Sequence, residues 1–107
     1  MNEEEPVYRA ERRSSGTTVF VSRESQEWPL RDHGGVGFDW SNSSPQAAGL
    51  AVSILMDFTG GDHTLSLAAY KQFTLTVVSR IEFDGFQIKP HQIRGWWANR
   101  LLLGGAL

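Results

Sequence analysis

Gly37-Phe38-Asp39-Trp40-Ser41-Asn42-Ser43-Ser44-Pro45 leads directly into Gln46-Ala47-Ala48-Gly49-Leu50-Ala51-Val52-Ser53-Ile54-Leu55-Met56-Asp57-Phe58, and Gly60-Gly61 follows one residue later. A serine before a proline supplies a capping oxygen, then a residue whose missing N–H costs nothing at the first helical position. The helix start is thus specified twice, and the glycine pair specifies its end. At 100° per residue, Ala47, Leu50, Ala51, Ile54 and Phe58 fall on one side, and Ala48, Val52, Leu55 and Met56 extend that surface around. Only Gln46, Gly49, Ser53 and Asp57 make a polar stripe. A helix apolar over most of its circumference belongs at the centre of a fold, between a sheet and other helices.

Working outward, the upstream residues read as strands. Val7-Tyr8-Arg9-Ala10 and Thr17-Thr18-Val19-Phe20-Val21-Ser22 form a hairpin about the loop Ser14-Ser15-Gly16. Trp28-Pro29-Leu30 is extended because of its proline, Asp32-His33-Gly34-Gly35 is a turn, and residues 36–40 form a further strand. The first forty residues therefore predict an antiparallel β-meander. Downstream, residues 62–81 fit two patterns. Ala69, Tyr70, Phe73, Val77 and Ile81 share a helical face, whereas Phe73, Leu75, Val77, Ile81 and Phe83 alternate as in a strand. Helix to about Ser79 is the reading adopted, with strand over 73–83 kept open. Asp84-Gly85 signals a turn, with 81–83 and 86–88 as alternative hairpin arms. A last helix starts at Pro90 and runs to about Leu103, ended by Gly104-Gly105, with Ile93, Trp96, Trp97 and Leu101 on its apolar arc. Arg100 falls inside that arc and must snorkel or find a carboxylate. The tryptophans are read as core.

The expected class is α+β: the meander packed on the central helix, two further helices, and a short C-terminal hairpin as an option. With 107 residues the chain is one domain, taken as 7–103, between a disordered acidic tail at 1–6 and a flexible end at 104–107. No apolar run reaches the roughly 20 residues that span a bilayer, and the acidic start is unlike a basic signal peptide, so a soluble protein with no membrane partner is expected. Cysteine is absent, which removes disulfides, thiolate zinc sites and cysteine nucleophiles and suits the cytoplasm. A net charge of −2 carries no broad footprint for nucleic acid. Locally, however, Lys89, Arg94 and Arg100 follow Gly85 with no acid among them.

Several residues together resemble the family catalogued as the domain of unknown function 6166. They are Tyr8-Arg9, Gly37-Phe38-Asp39-Trp40, the Ser-Pro helix entry with Leu50-Ala51-Val52-Ser53-Ile54-Leu55, Phe73 before Val77-Val78, and Ile93 with Trp96-Trp97. The likeness runs from about Tyr8 to Trp97. In the family the acid and tryptophan are usually followed by a glycine-rich loop; here Ser41-Asn42-Ser43-Ser44 stands in its place. Members occur in bacteria, archaea and their mobile elements, and the family has no established activity, so the resemblance implies a domain and no mechanism.

Three chemistries can be read into the loop. Free N–H groups and the dipole at the helix start, with the Ser41, Ser43 and Ser44 hydroxyls, suit a phosphate or carboxylate, so Asp39, Trp40, Ser41, Asn42, Ser43 and Ser44 are the candidate binding residues. Against this, Ser44 as cap, Asn42 as turn former, Asp39 paired with an arginine and Trp40 packed explain the same residues without a ligand. A hydrolase would recruit His33, Asp39 and Ser41 or Ser43, but no Gly-x-Ser-x-Gly elbow is present. His33, His63 and His91 lack metal-ligand spacing, and no Walker lysine follows Pro45. No catalytic residue, metal or cofactor is therefore expected. What remains is a non-catalytic interaction module whose surface combines Arg12, Arg13, Lys89 and Arg94. An unidentified protein partner comes first, in a host or defence complex if the gene travels on a mobile element. Binding of nucleic acid or a phosphate-bearing ligand is the alternative.

Overall fold

The computed structural model describes residues 6–14 and 16–104, with side chains through Arg100. The expected tail at 1–6 and end at 104–107 fall mostly outside these residues; Pro6 is buried, and Gly104 is the last residue of a helix. Strands β1 (Val7–Glu11), β2 (Val19–Arg23) and β3 (Gln26–Pro29) form the meander, and β4 (Gly85–Ile88) joins them in one antiparallel sheet of order β3-β2-β1-β4. Alternation follows the two-residue period of a strand. Tyr8, Ala10, Val19 and Val21 point into the core, and Arg9, Glu11 and Phe20 line the other face.

One expected strand is not formed, and another starts two residues late. Residues 36–40 are loop because Asp32 takes backbone donors just before and within them: its carboxylate accepts from Gly35 N at 2.8 Å and Gly37 N at 2.7 Å. Both glycines have positive φ, 70° and 86°, which no extended strand allows. Residues 17 and 18 also lie outside β2, and the Thr17 hydroxyl donates to the Phe38 carbonyl at 2.6 Å.

The C-terminal hairpin is replaced by a long-range pairing, with Tyr8 opposite Ile88 and Glu11 opposite Gly85. Residues 81–83 cannot serve as an arm because side chains use their carbonyls. Ser41 Oγ donates to Ile81 O, and both Trp40 Nε1 and Arg12 Nε donate to Phe83 O. Gly85 is required for a different reason from the turn it suggested: a Cβ there would lie 2.5 Å from Ala10 O, so only glycine lets β4 approach β1.

Helix α1 (Pro45–Phe58) has the expected bounds. Ser44 Oγ accepts from Ala47 N at 3.2 Å, and Gly60 and Gly61, at positive φ, close the C-terminus with bonds to Asp57 O and Met56 O in a Schellman arrangement. Leu50, Ile54 and Leu55 are fully buried, each contributing roughly 1.5–3 kcal/mol by area removed from water. Its polar stripe is covered beyond Gln46, which stays exposed. The position a Cβ would take on Gly49 lies 3.4 Å from Val36 Cγ2, Ser53 Oγ accepts from His33 N, and Asp57 accepts from Tyr8 Oη at 2.6 Å and Arg23 Nη2 at 2.9 Å. The stripe is where the 32–37 loop and the sheet dock.

Helix α2 (His63–Thr76) is capped by Asp62 and followed by a 3₁₀ turn, Val78–Arg80. Helix therefore wins over strand in this ambiguous segment, with the α-helical part ending three residues before Ser79. Thr74, Thr76 and Ser79 each donate to the carbonyl four residues back at 2.7 Å, which lets hydroxyl and β-branched residues sit on helical backbone. Helix α3 (Pro90–Gly104) inserts Ile93 into the core and leans Trp96 edge-on against Phe73, centroids 4.9 Å apart. Trp96 and Trp97 are half-buried against the core. Arg100 finds a carbonyl in place of a carboxylate, donating from Nη2 to Ala68 O at 3.0 Å. No helix among the described residues is long and apolar enough to cross a membrane.

Candidate functional site

The loop before α1 is a closed hydrogen-bonded unit. Trp40 is fully buried, edge-on to Phe86 at 5.1 Å. Its position places the Asp39 carboxylate beside Arg12, whose Nη2 donates at 2.9 Å, and Asp39 also accepts from Trp40 N and Asn42 Nδ2. Burial acts to raise the Asp39 pKa. The bonds from Asn42, Trp40 N and Arg12, together with the Arg12 charge, outweigh it and hold the carboxyl below its ordinary value. The Arg12 guanidinium lies over the rings of Phe83 (3.8 Å) and Trp40 (4.7 Å), so one side chain ties β1 to the loop and to the segment before β4.

The serines are engaged too. Ser41, at φ 74°, donates from N to Val78 O and from Oγ to Ile81 O. Asn42 Oδ1 accepts from Ser44 N, and the Ser44 hydroxyl caps the helix. Ser43 alone is exposed, at the mouth of a cavity of about 280 Å³ lined also by Tyr70, Lys71, Thr74 and Leu75. The structure thus brings Asp39 through Ser44 together, and adds Arg12 and the Ile81 and Phe83 carbonyls, partners with no local sequence signal because they lie 27 to 43 residues away in the chain.

The other constellations do not assemble. Asp39 and Ser41 are bonded to Arg12 and Ile81, while His33 sits across the loop with its backbone N on Ser53 Oγ. His63 and His91 begin separate helices, and among the described residues no three His, Asp or Glu side chains cluster as a metal site would. Of the four expected surface cations, Arg12 is turned into the loop. Arg13, paired with Glu11, extends past one end of the β1–β4 ladder, and exposed Lys89 lies past the other, about 20 Å away at the rise of a strand, with exposed Arg94 beyond it on α3.

A second region has no counterpart in the sequence reading. Leu67, Lys71 and Leu75, at i, i+4 and i+8, form an outward stripe on α2, with Leu67 56% and Leu75 59% exposed. Leu65, 47% exposed, lines a recess with Phe58, Thr59 and Trp97. Neither α2 nor α3 contains an acid, while they carry Lys71, Arg94 and Arg100. The available signal was this lack of acids, which extends to α2 as well as the C-terminal segment.

Neither a curated protein nor a solved structure matches the chain. A family model does, over residues 8–99. That span runs from Tyr8 on β1 to Asn99 on α3, and so takes in the sheet except Val7, the loop and the central helix. The chain belongs to the family of unknown function DUF6166.

Proposed function

We propose that this domain acts by binding a protein partner and catalyses no reaction. The observation that carries the reading is the outward leucine stripe of α2, Leu67 and Leu75 with Leu65 beside it, on helices that hold cations and no acids. Leucines half-open to water gain little for the isolated fold, and exposed apolar side chains grouped on one face mark contact surfaces. The loop, by contrast, spends its carboxylate and most of its hydroxyls on its own backbone. If the gene travels on a mobile element, a host or defence complex is where such a partner would be found.

Affinity capture from the native host with the intact chain and with Leu67→Glu/Leu75→Glu tests this. A partner held by the parent chain, retained as salt is raised and lost with the double variant, supports it. A turnover traced to Asp39 or Ser41 would overturn it, as would a DNA or RNA mobility shift that vanishes near about 0.2 M salt with no protein captured.

A further inference from the structure

The α2–α3 face offers more than leucines. The two helices run antiparallel, Trp96 opposite Phe73 and Thr76 and Arg100 opposite Ala68. Between them lies a cavity of about 200 Å³ lined by Gln72, Thr76, Trp96, Asn99 and Arg100. Arg100 is incompletely satisfied there. Its Nη2 has the Ala68 carbonyl, but Nε is buried with no partner among the described residues, an arrangement that costs more than an exposed guanidinium would. Lys71 stands on the outward side of the same helix, between Leu67 and Leu75.

We infer that this groove takes an acidic amphipathic helical segment of a protein partner, its apolar residues against Leu75 and the Trp96 edge and its carboxylates on Lys71 and Arg100. The inference rests on the protein-binding reading above and names its site and chemistry. Charge complementarity selects the occupant. A face with cations and no acids repels a second copy of itself, and the half-exposed leucines offer apolar area that a phosphate backbone does not use. The 14 residues of α2 span about 21 Å, room for some three to four turns of a helix laid alongside. A carboxylate drawing the Arg100 head outward would also give Nε the partner it lacks.

The test is a random-peptide display selection against the intact chain, followed by titration of the selected peptides while the indole N–H resonances of Trp96 and Trp40 are observed. The expected peptides are rich in Asp and Glu with apolar residues at helical spacing. They should shift the Trp96 signal, whose N–H bonds Thr76 Oγ1 at 2.9 Å, and leave that of buried Trp40 in place. Binding should weaken about tenfold or more in Lys71→Glu, a change at an exposed position that leaves the fold intact. In Arg100→Gln, acidic peptides should lose affinity while peptides with Gln for Glu lose none, a readout that a purely structural role would not give. Neutral or basic selected peptides, an unmoved Trp96 signal or an insensitive Lys71→Glu overturns the groove assignment while leaving protein binding elsewhere standing. Concentration-dependent shifts without peptide, or shifts caused by an oligonucleotide alone, overturn it in favour of self-association or nucleic acid. An empty selection together with no captured partner overturns both readings.

Discussion

The loop before α1 and the outer face of α2 invert the expectation that reactive-looking residues mark a site. The loop holds an acid, an asparagine and three serines, yet Asp39, Asn42, Ser41 and Ser44 all close on nearby backbone or on Arg12. The α2 face holds leucines and a lysine, ordinary helix residues, and leaves them in water. Polar groups at a helix entrance are needed to satisfy backbone donors and acceptors that burial would otherwise strand, so their presence is explained before any ligand is invoked. Exposed leucines have no such internal explanation.

The sharpest way to break this contrast is to remove the loop's anchor. Trp40→Ala deletes a fully buried ring that meets Phe86 edge-on and donates to Phe83 O, and should cost about 3–5 kcal/mol in denaturant unfolding. Arg12→Ala leaves Asp39 without its partner and uncovers Phe83 and Trp40. A loss of about 1–3 kcal/mol is expected, the pair being only partly shielded from solvent. Ser44→Ala removes the helix cap and should cost about 1 kcal/mol. If any of these variants were as stable as the parent, the loop would not be the closed structural unit described.

Acid should reveal the same region by a different route. Because the Asp39 pKa is held low in the folded state, its ionised form adds stability above the unfolded carboxyl value of about 4. That stability disappears as pH falls through the lower folded value. The stability gap between the parent and Asp39→Asn should therefore be constant at neutral pH and close below about pH 4. A gap that widened on acidification would contradict the assignment. The smallest effect belongs to the other region: Leu67→Ser and Leu75→Ser should each change stability by no more than about 0.5 kcal/mol while weakening partner capture. A large loss of stability would show those leucines to be core residues.

Much of the fold is legible in the chain because its signals are local. Ser44-Pro45 and Gly60-Gly61 bound α1 to the residue, and the alternation of Tyr8, Ala10, Val19 and Val21 marks the first hairpin. The errors share one cause. Residues 36–40 and 81–83 have strand-like side chains, but their extended pairing is pre-empted by Asp32, Ser41, Trp40 and Arg12. Those competitors include groups more than 40 residues distant in sequence, and no periodicity reports them. The candidate loop was legible as a set of residues, whereas Arg12 as its partner was not, since arginines elsewhere in the first third had equal claim.

By itself the sequence determined the helix caps, the apolar circumference of α1, the meander and the α+β class, all of which follow from capping chemistry and hydrophobic period over a few residues. Tertiary structure alone decided that β4 closes the sheet beside β1, that Gly85 is needed there for want of space, that Arg12 turns inward, and that Leu67, Lys71 and Leu75 face water. The physical reason is that burial, ion pairing and close backbone approach depend on which surfaces meet, and those meetings join residues that the local pattern keeps apart.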